Sequence, residues 1–471
     1  MRQNRIAALA LLLLAAAAFP QAREVTGYRK VDLDNGLELF ILENHVVPLA
    51  RIEITFRCGS IAQTADTAGL FHLYEHMQFK CNRVYRSQSE FQAALKELGV
   101  ASWNGSTSPE AVTCYITVPS DRVEKGIEFW ANAVRYPLLE PSELETEKDV
   151  AANEVRGSLA DPSAVFESGM DRALYWKYLW RRDLVGSEKS IRDTWYVPNN
   201  TALFVGGDVD PAAVQAAVKK HFGDWQKRRD PWASPPPLHP AAQKDALLVH
   251  PDEQMYQGVA FVEILFRGPD VLADPGATYA ADVCGKFLED PNGRFKARIW
   301  SKVPDLYKKE HLWASDSTQR DGGYISFSTD MLVSSQKSTF ERLADLKKAL
   351  AEEVAAMTSD QSYFSPKEYD VLKQKPADER TYQRETVDGF VSDLSFWWAS
   401  ASTAYDDGYV ENLKRAGFPQ LKKFLSDYVV SRSSVLAARM NPKDFAREQS
   451  GAEKAGFSVI TRDNAFWWAG K

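Results

Sequence analysis

The sequence predicts an α+β protein made of two similar halves, and three observations predict it. Strand-like and helix-like segments come in unequal, mixed runs and not in regular β–α alternation. A proline-rich stretch near the midpoint, 227–243, reads K-R-R-D-P-W-A-S-P-P-P-L-H-P-A-A-Q. Short matches recur on either side of it. Glu53-Ile-Thr-Phe-Arg57 answers Glu263-Ile-Leu-Phe-Arg267. Thr201-Ala-Leu-Phe-Val205 before Asp210-Pro211 answers Ser434-Val-Leu-Ala-Ala438 before Asn441-Pro442. Their similar placement relative to the half boundaries points to duplication.

The elements follow in order. Residues 1–5 carry two arginines, 6–19 are an unbroken apolar run, and Pro20, Gln21 and Ala22 lead into polar sequence. A basic start, a short apolar middle and a small-residue end describe a secretory signal peptide over 1–22. Its removal takes Arg2 and Arg5 and no acid, so the balance goes from 57 against 64 to 55 against 64, a net charge of -9. In the first domain, 23–226, segments 37–42, 50–57 and 112–118 read as strands and 68–79 as a helix. Ser87 and Glu90 form a capping box for a helix that Gly99 closes. Residues 121–135 are an amphipathic helix, and Ser142 is the expected N-cap of another, with Glu145 completing its box. A late strand at 201–205 and a helix at 211–222 end the half. Five prolines make 227–243 an extended linker. The second domain, 244–471, repeats the pattern.

Composition excludes several function classes. There is no basic excess to bind nucleic acid. No later stretch is apolar enough to span a membrane, so the mature chain is expected to be exported, periplasmic or secreted. Cys58, Cys81, Cys114 and Cys284 contain no C-x-x-C, which argues against a cysteine-based zinc or redox site; a disulfide remains open. Neither a G-x-G-x-x-G loop nor a G-x-S-x-G elbow is present.

One motif carries chemistry. Residues 72–76 read His72-Leu73-Tyr74-Glu75-His76. On a helix His72 and His76 are i and i+4, so both imidazoles lie on one face where they can share a tetrahedral Zn²⁺. Glu75, at i+3, lies beside them, placed to take a proton from water. A third protein ligand is still required, and a catalytic site keeps the fourth position open. The flanks Leu70, Phe71, Met77 and Phe79 are apolar. Burial would make unligated polar groups costly there.

H-x-x-E-H is the inverted zinc motif, and its surroundings resemble the pitrilysin (inverzincin) family of zinc metallopeptidases. Gly59-Ser60, then Gly69-Leu-Phe-His72-Leu-Tyr-Glu75-His76-Met-Gln-Phe-Lys80, follow that family's pattern without a gap. So does Glu147-Lys-Asp-Val-Ala-Ala-Asn-Glu154-Val-Arg, with Glu154 78 residues after His76. Asn104 and Thr107, and the stretch from Tyr196 to Trp225, extend the likeness over most of 28–226. The resemblance implies two domains, each an antiparallel-rich sheet covered by helices, enclosing a peptide chamber. It implies His72, His76 and Glu154 as ligands of one Zn²⁺ per chain and Glu75 as general base. Glu147 would be a catalytic residue orienting a ligand or the water. Asn104 would hold the peptide substrate beside an edge strand, although Asn104-Gly105 is also a turn signal in its own right. The chain departs from the pattern at Gln63, Phe71 and Cys81-Asn82, none of them a ligand.

The function expected is a zinc metalloendopeptidase acting on short or unstructured polypeptides. The alternative is a non-catalytic structural or partner subunit of the same fold, against which the intact ligand set argues. A shift of 210 residues sets Asp282, Gly285 and Lys286 opposite His72, Glu75 and His76, so the second domain is expected to be metal-free. Family members use an Arg and a Tyr, seven residues apart, to bind substrate from that half. Here Trp300 takes the Arg place and Tyr307 the Tyr place, with Arg298 two residues from Trp300. The chain thus resembles the zinc-bearing subunit of the mitochondrial-processing-peptidase type. That implies a heterodimer with a related Arg–Tyr-bearing chain, or a homodimer. His45, His221, His239, His250 and His311 are scattered and are expected at the surface or in the linker. The Trp pairs 397–398 and 467–468 are expected to be packing aromatics.

Overall fold

The two E-I-x-F-R segments occupy the same place in two sheets of one plan. The structure, a computed structural model, describes residues 27–158, 160–182, 189–303, 305–333, 336–360 and 362–466. The first sheet contains β1 (Arg29–Asp32), β2 (Glu38–Glu43), β3 (Leu49–Phe56), β4 (Ser102–Thr107), β5 (Val112–Pro119) and β6 (Thr201–Gly207), in the order β1-β2-β6-β3-β5-β4. The second contains β7 (Ala246–Pro251), β8 (Val259–Arg267), β9 (Trp313–Ser317), β10 (Tyr324–Leu332), β11 (Ser434–Met440) and β12 (Ser458–Val459), in the order β12-β7-β11-β8-β10-β9. Strand for strand, β2, β6, β3, β5 and β4 correspond to β7, β11, β8, β10 and β9. Both sheets are mixed: β2 runs parallel to β6, β7 to β11 and β12 to β7, while the other neighbours are antiparallel. The expected segments 1–22 and 467–468 lie outside the described residues.

Helices cover both sheets. In the first half they are α1 (Leu70–Gln78), α2 (Gln88–Glu97), α3 (Val123–Arg135), α4 (Pro141–Ser158), α5 (Pro162–Leu174), α6 (Lys189–Trp195) and α7 (Pro211–Phe222). In the second half they are α8 (Pro275–Glu289), α9 (Arg294–Lys302), α10 (Thr339–Ser359), α11 (Pro366–Gln383), α12 (Val387–Ser400), α13 (Thr403–Asp407), α14 (Tyr409–Arg415), α15 (Phe418–Tyr428) and α16 (Pro442–Ala455). Because both faces are covered, β3 is buried from Ala50 to Phe56 at every position, Arg51, Glu53 and Thr55 included. Caps set several helix starts. The Ser87 hydroxyl accepts the Glu90 N–H at 3.2 Å, and Asp210 and Asn441 cap the matching helices α7 and α16. Ser142 is not a cap. Helix α4 starts one residue earlier, at Pro141, whose missing N–H costs nothing in a first turn, and the Leu144 N–H donates to the Glu140 carbonyl at 3.0 Å.

Each half lends a helix to the other. Helix α5 packs on β7, β8 and β11, where Val165, Phe166, Met170 and Leu174 meet Leu265, Val435, Ala437 and Ile460. Helix α12 packs on β3 and β6, where Phe390, Val391, Leu394 and Trp398 meet Phe40, Leu42, Ala202 and Phe204. The turns β4–β5 and β9–β10 also touch: the Asp321 N–H donates to Glu110 Oε1 at 3.1 Å. The 227–243 segment is pinned along this junction. The Trp232 indole N–H donates to the Arg57 carbonyl at 2.9 Å, and His239 Nδ1 lies 2.7 Å from Asp321. His239 lies in the linker, one of the two expected places, but is buried there because the linker folds inward; His250, at neither place, is buried at a strand end. All four cysteines are buried and free.

Candidate metal centre

Helix α1 begins after Gly69, whose backbone is left-handed (φ 79°), and it buries Leu70, Phe71, Leu73, Tyr74 and Met77. The face left over carries His72, Glu75 and His76. Helix α4 packs beside it and supplies Glu147 and Glu154, two turns apart. The elements therefore bring together five of the residues singled out from sequence.

Three donor atoms converge. His72 Nε2 lies 3.2 Å from His76 Nε2, and Glu154 Oε2 lies 3.6 Å from the first and 3.4 Å from the second. In a tetrahedron with bonds of about 2.0–2.1 Å, ligand atoms are separated by about 3.3 Å. The three edges match that figure, so the donor set fits one zinc ion. Among the described residues this is the one group of three or more His, Cys, Asp or Glu side chains close enough to hold a metal. A fourth vertex is left for water or substrate.

Two further carboxylates flank the three donors. Glu147, 2% exposed, accepts from His76 Nδ1 at 3.1 Å through Oε2, and its Oε1 lies 2.5 Å from Lys80 Nζ. Accepting at Nδ1 leaves Nε2, the nitrogen that faces the other two donors, with its lone pair. Glu75 is buried, and the Thr107 hydroxyl donates to its Oε2 at 3.1 Å. Burial raises the Glu75 carboxyl above its ordinary value, against the opposing pull of His76 and Thr107.

Strand β4 is the open edge of the first sheet and runs beside α1. The Asn104-Gly105 pair, a turn signal in sequence, sits in the middle of this strand. Glycine there leaves room for two side chains from α1 and its C-terminal turn. A Cβ on Gly105 would come within 2.3 Å of Glu75 Oε1 and 2.5 Å of the Phe79 ring. Asn104 is exposed on the edge, and its Oδ1 accepts the N–H of Gly105. Tyr307 stands in the other half, 41% exposed, its ring 5.4 Å from His311; Trp300 is exposed on α9, and Arg298 pairs with Glu353 at 3.2 Å. Neither Tyr307 nor Trp300 is gathered with the donor set. Sequence reasoning gave no role to Lys80 or Gly105. The signal for Lys80 was its position four residues beyond His76.

Comparison with known proteins fits this geometry. Residues 39–185 match the family described as Insulinase (Peptidase family M16), and residues 189–375 match Peptidase M16 inactive domain. The zinc protease PqqE of Helicobacter pylori is 26% identical over 268 residues, 53% of this chain and 59% of that protein. The uncharacterized zinc protease YmxG of Bacillus subtilis is 21% identical over 211 residues, 42% of this chain and 51% of that protein. The matched region thus spans little more than half the length of these relatives. A crystal structure of a protease from Helicobacter pylori superposes with a TM-score of 0.71 at 17% identity, covering 88% of this chain and 99% of the other. The periplasmic protease PqqL of Escherichia coli superposes with a TM-score of 0.67 at 16% identity, over 92% of this chain and 49% of that one. Since two successive models of one family match residues 39–185 and 189–375, the chain belongs to peptidase family M16.

Proposed function

We propose that this chain is a zinc-dependent endopeptidase that hydrolyses short or unstructured polypeptides outside the cytoplasm. The observation that carries the reading is the set of three donor atoms at tetrahedral spacing, with Glu75 on the helix that bears both histidines. A zinc ion held by His72, His76 and Glu154 would supply Lewis acidity towards the scissile carbonyl and the attacking water. Glu75 takes the proton of that water and passes it to the leaving amine. Its surroundings suit both tasks: burial favours the protonated form, while His76 and Thr107 favour the carboxylate. Glu147 holds His76 in the tautomer that offers Nε2. The free edge of β4 can take an extended peptide as an added strand, with Asn104 alongside to hold its backbone.

Export rests on the basic-then-apolar start of the sequence; among the described residues no helix is long and apolar enough to cross a membrane. A partner chain is part of the proposal. Trp300 cannot supply the charge and donors of a guanidinium, so a related Arg–Tyr-bearing subunit would complete substrate binding alongside Tyr307.

Glu75→Gln tests the mechanism. It should keep one zinc per chain and lose peptide cleavage by about 10²–10⁴-fold; full turnover of an unstructured peptide by that variant would sink the base assignment. Turnover by the purified chain alone, then with an Arg–Tyr-bearing relative added, tests the partner. Full activity as a lone monomer would refute the requirement.

A further inference from the structure

We propose that Lys80 is a positioning residue that sets the zinc affinity of His76 by acting through Glu147. The inference rests on the zinc site proposed above and adds a residue to it. Lys80 follows His76 by four residues, just past the end of α1 at Gln78, so its side chain leaves the helix close to the histidine. Its ammonium lies 2.5 Å from Glu147 Oε1, and the other Glu147 oxygen lies 3.1 Å from His76 Nδ1. The carboxylate spends one oxygen on each partner.

Burial makes this arrangement necessary. Glu147 is 2% exposed, and the Lys80 side chain keeps 15% of its surface. A carboxylate so buried is costly unless a charge balances it, and a neutral imidazole supplies none. Lys80 supplies the charge from the same helix end that carries the ligand. It also fixes the carboxylate's direction, because both oxygens are engaged by groups on α1 or its C-terminal turn. The Nδ1–H of His76 then has one acceptor in one place, and Nε2 is aimed at His72 and Glu154. His76 is therefore held by a chain of two contacts that reaches from one metal-bearing helix to the other and back.

The test is zinc affinity of the full chain, measured by competition with a chromogenic chelator. The variants are Lys80→Met, Lys80→Gln, Lys80→Arg, Glu147→Gln and the double variant Lys80→Met/Glu147→Gln. Lys80→Met should weaken zinc binding by about 10–100-fold, the loss typical of removing an outer partner of a ligating histidine. Lys80→Arg, which restores a cation, should recover most of it. In the Glu147→Gln background Lys80→Met should add no further loss, since the path through Glu147 is already cut. A purely structural lysine would show neither the rescue nor that non-additivity. Should Lys80→Met not fold, Lys80→Gln carries the test, because it keeps hydrogen-bond donors without charge and should show the same loss. Unchanged affinity in the uncharged variants, failure of Lys80→Arg to recover it, or an equal loss in the Glu147→Gln background overturns the proposal. A wild-type chain that binds no zinc overturns the metal reading and this inference together. Tight wild-type binding with unaltered Lys80 variants overturns this inference alone.

Discussion

The first half places a group of three candidate metal ligands where the second half places an ion pair. The ladders fix the correspondence. Ile54, Cys114 and Gly105 lie side by side across β3, β5 and β4; Ile264, Phe327 and Ala314 lie side by side across β8, β10 and β9. Thr107 therefore corresponds to Asp316 and Asn104 to Trp313. Where Thr107 reaches Glu75, Asp316 reaches the α8 positions Asp282 and Gly285. Gly285 carries no side chain, so none takes the place of Glu75, and Asp316 Oδ1 would lie 3.1 Å from a Cβ there. Lys286, at the His76 place, reaches Glu379 of α11 at 2.9 Å. In one half a metal can tie α1 to α4; in the other an ammonium ties α8 to α11. The lesson is that the duplicated frame does not determine the chemistry. A few side chains on one helix face do.

The largest expected effect comes from breaking the asymmetry at its source. His72→Ala or His76→Ala leaves two protein ligands, and metal analysis should fall from one zinc per chain to none, with peptide cleavage abolished. Two zinc ions per wild-type chain would instead make the halves chemically equal and contradict the comparison.

Next is the exchange of helices, which holds the two unlike halves together. Trp398 is 2% exposed, its indole N–H donates to Glu38 at 3.0 Å, and the Arg57 guanidinium lies 4.1 Å over its ring. Trp398→Ala should cost about 3–5 kcal/mol, read from denaturant unfolding. A loss under about 1 kcal/mol would mean that the lent helix matters little.

The junction itself should titrate. Burial raises the Glu110 carboxyl from 4.5 to about 7, against the Asp321 backbone N–H it accepts and the charge of Arg320. The folded state holds this proton more tightly than the unfolded chain. Its stabilising contribution is thus complete below pH 4.5 and is lost as pH rises through about 7. The loss is on the order of 3 kcal/mol. Glu110→Gln should flatten the stability profile between pH 5 and 8 and leave the variant the more stable protein at the upper end; an unchanged slope would remove Glu110 from the account.

The smallest effect belongs to the ion pair in the second half. Glu379 is mostly exposed, so Lys286→Met should cost no more than about 1 kcal/mol and leave zinc content unchanged. Two buried carboxyls in the same cluster, which feel the charge of Lys286, are shifted towards the neutral form by burial, Asp282 to about 6 and Asp316 well above its usual value. A large loss would show that the ammonium is the structural equivalent of the metal.

What the sequence determined by itself was local. H-x-x-E-H puts two imidazoles and a carboxylate on one face, because the helical period requires it. The seven-residue step from Glu147 to Glu154 likewise sets two carboxylates on one face of α4. The repeated strand segments revealed the duplication, because matching strands need matching alternation. The tertiary structure decided what depends on contacts between distant segments. It placed Asn104-Gly105 within an edge strand, since the ladder to β5 pairs them with Tyr115 and Cys114, although the dipeptide alone reads as a turn. It buried His239 against Asp321, a partner 82 residues away that no spacing announces. It joined Lys80 to Glu147 across two helices, and it crossed α5 and α12 onto each other's sheets. An apolar helix face shows that it must be buried, but the surface that buries it is chosen only when the whole chain has packed.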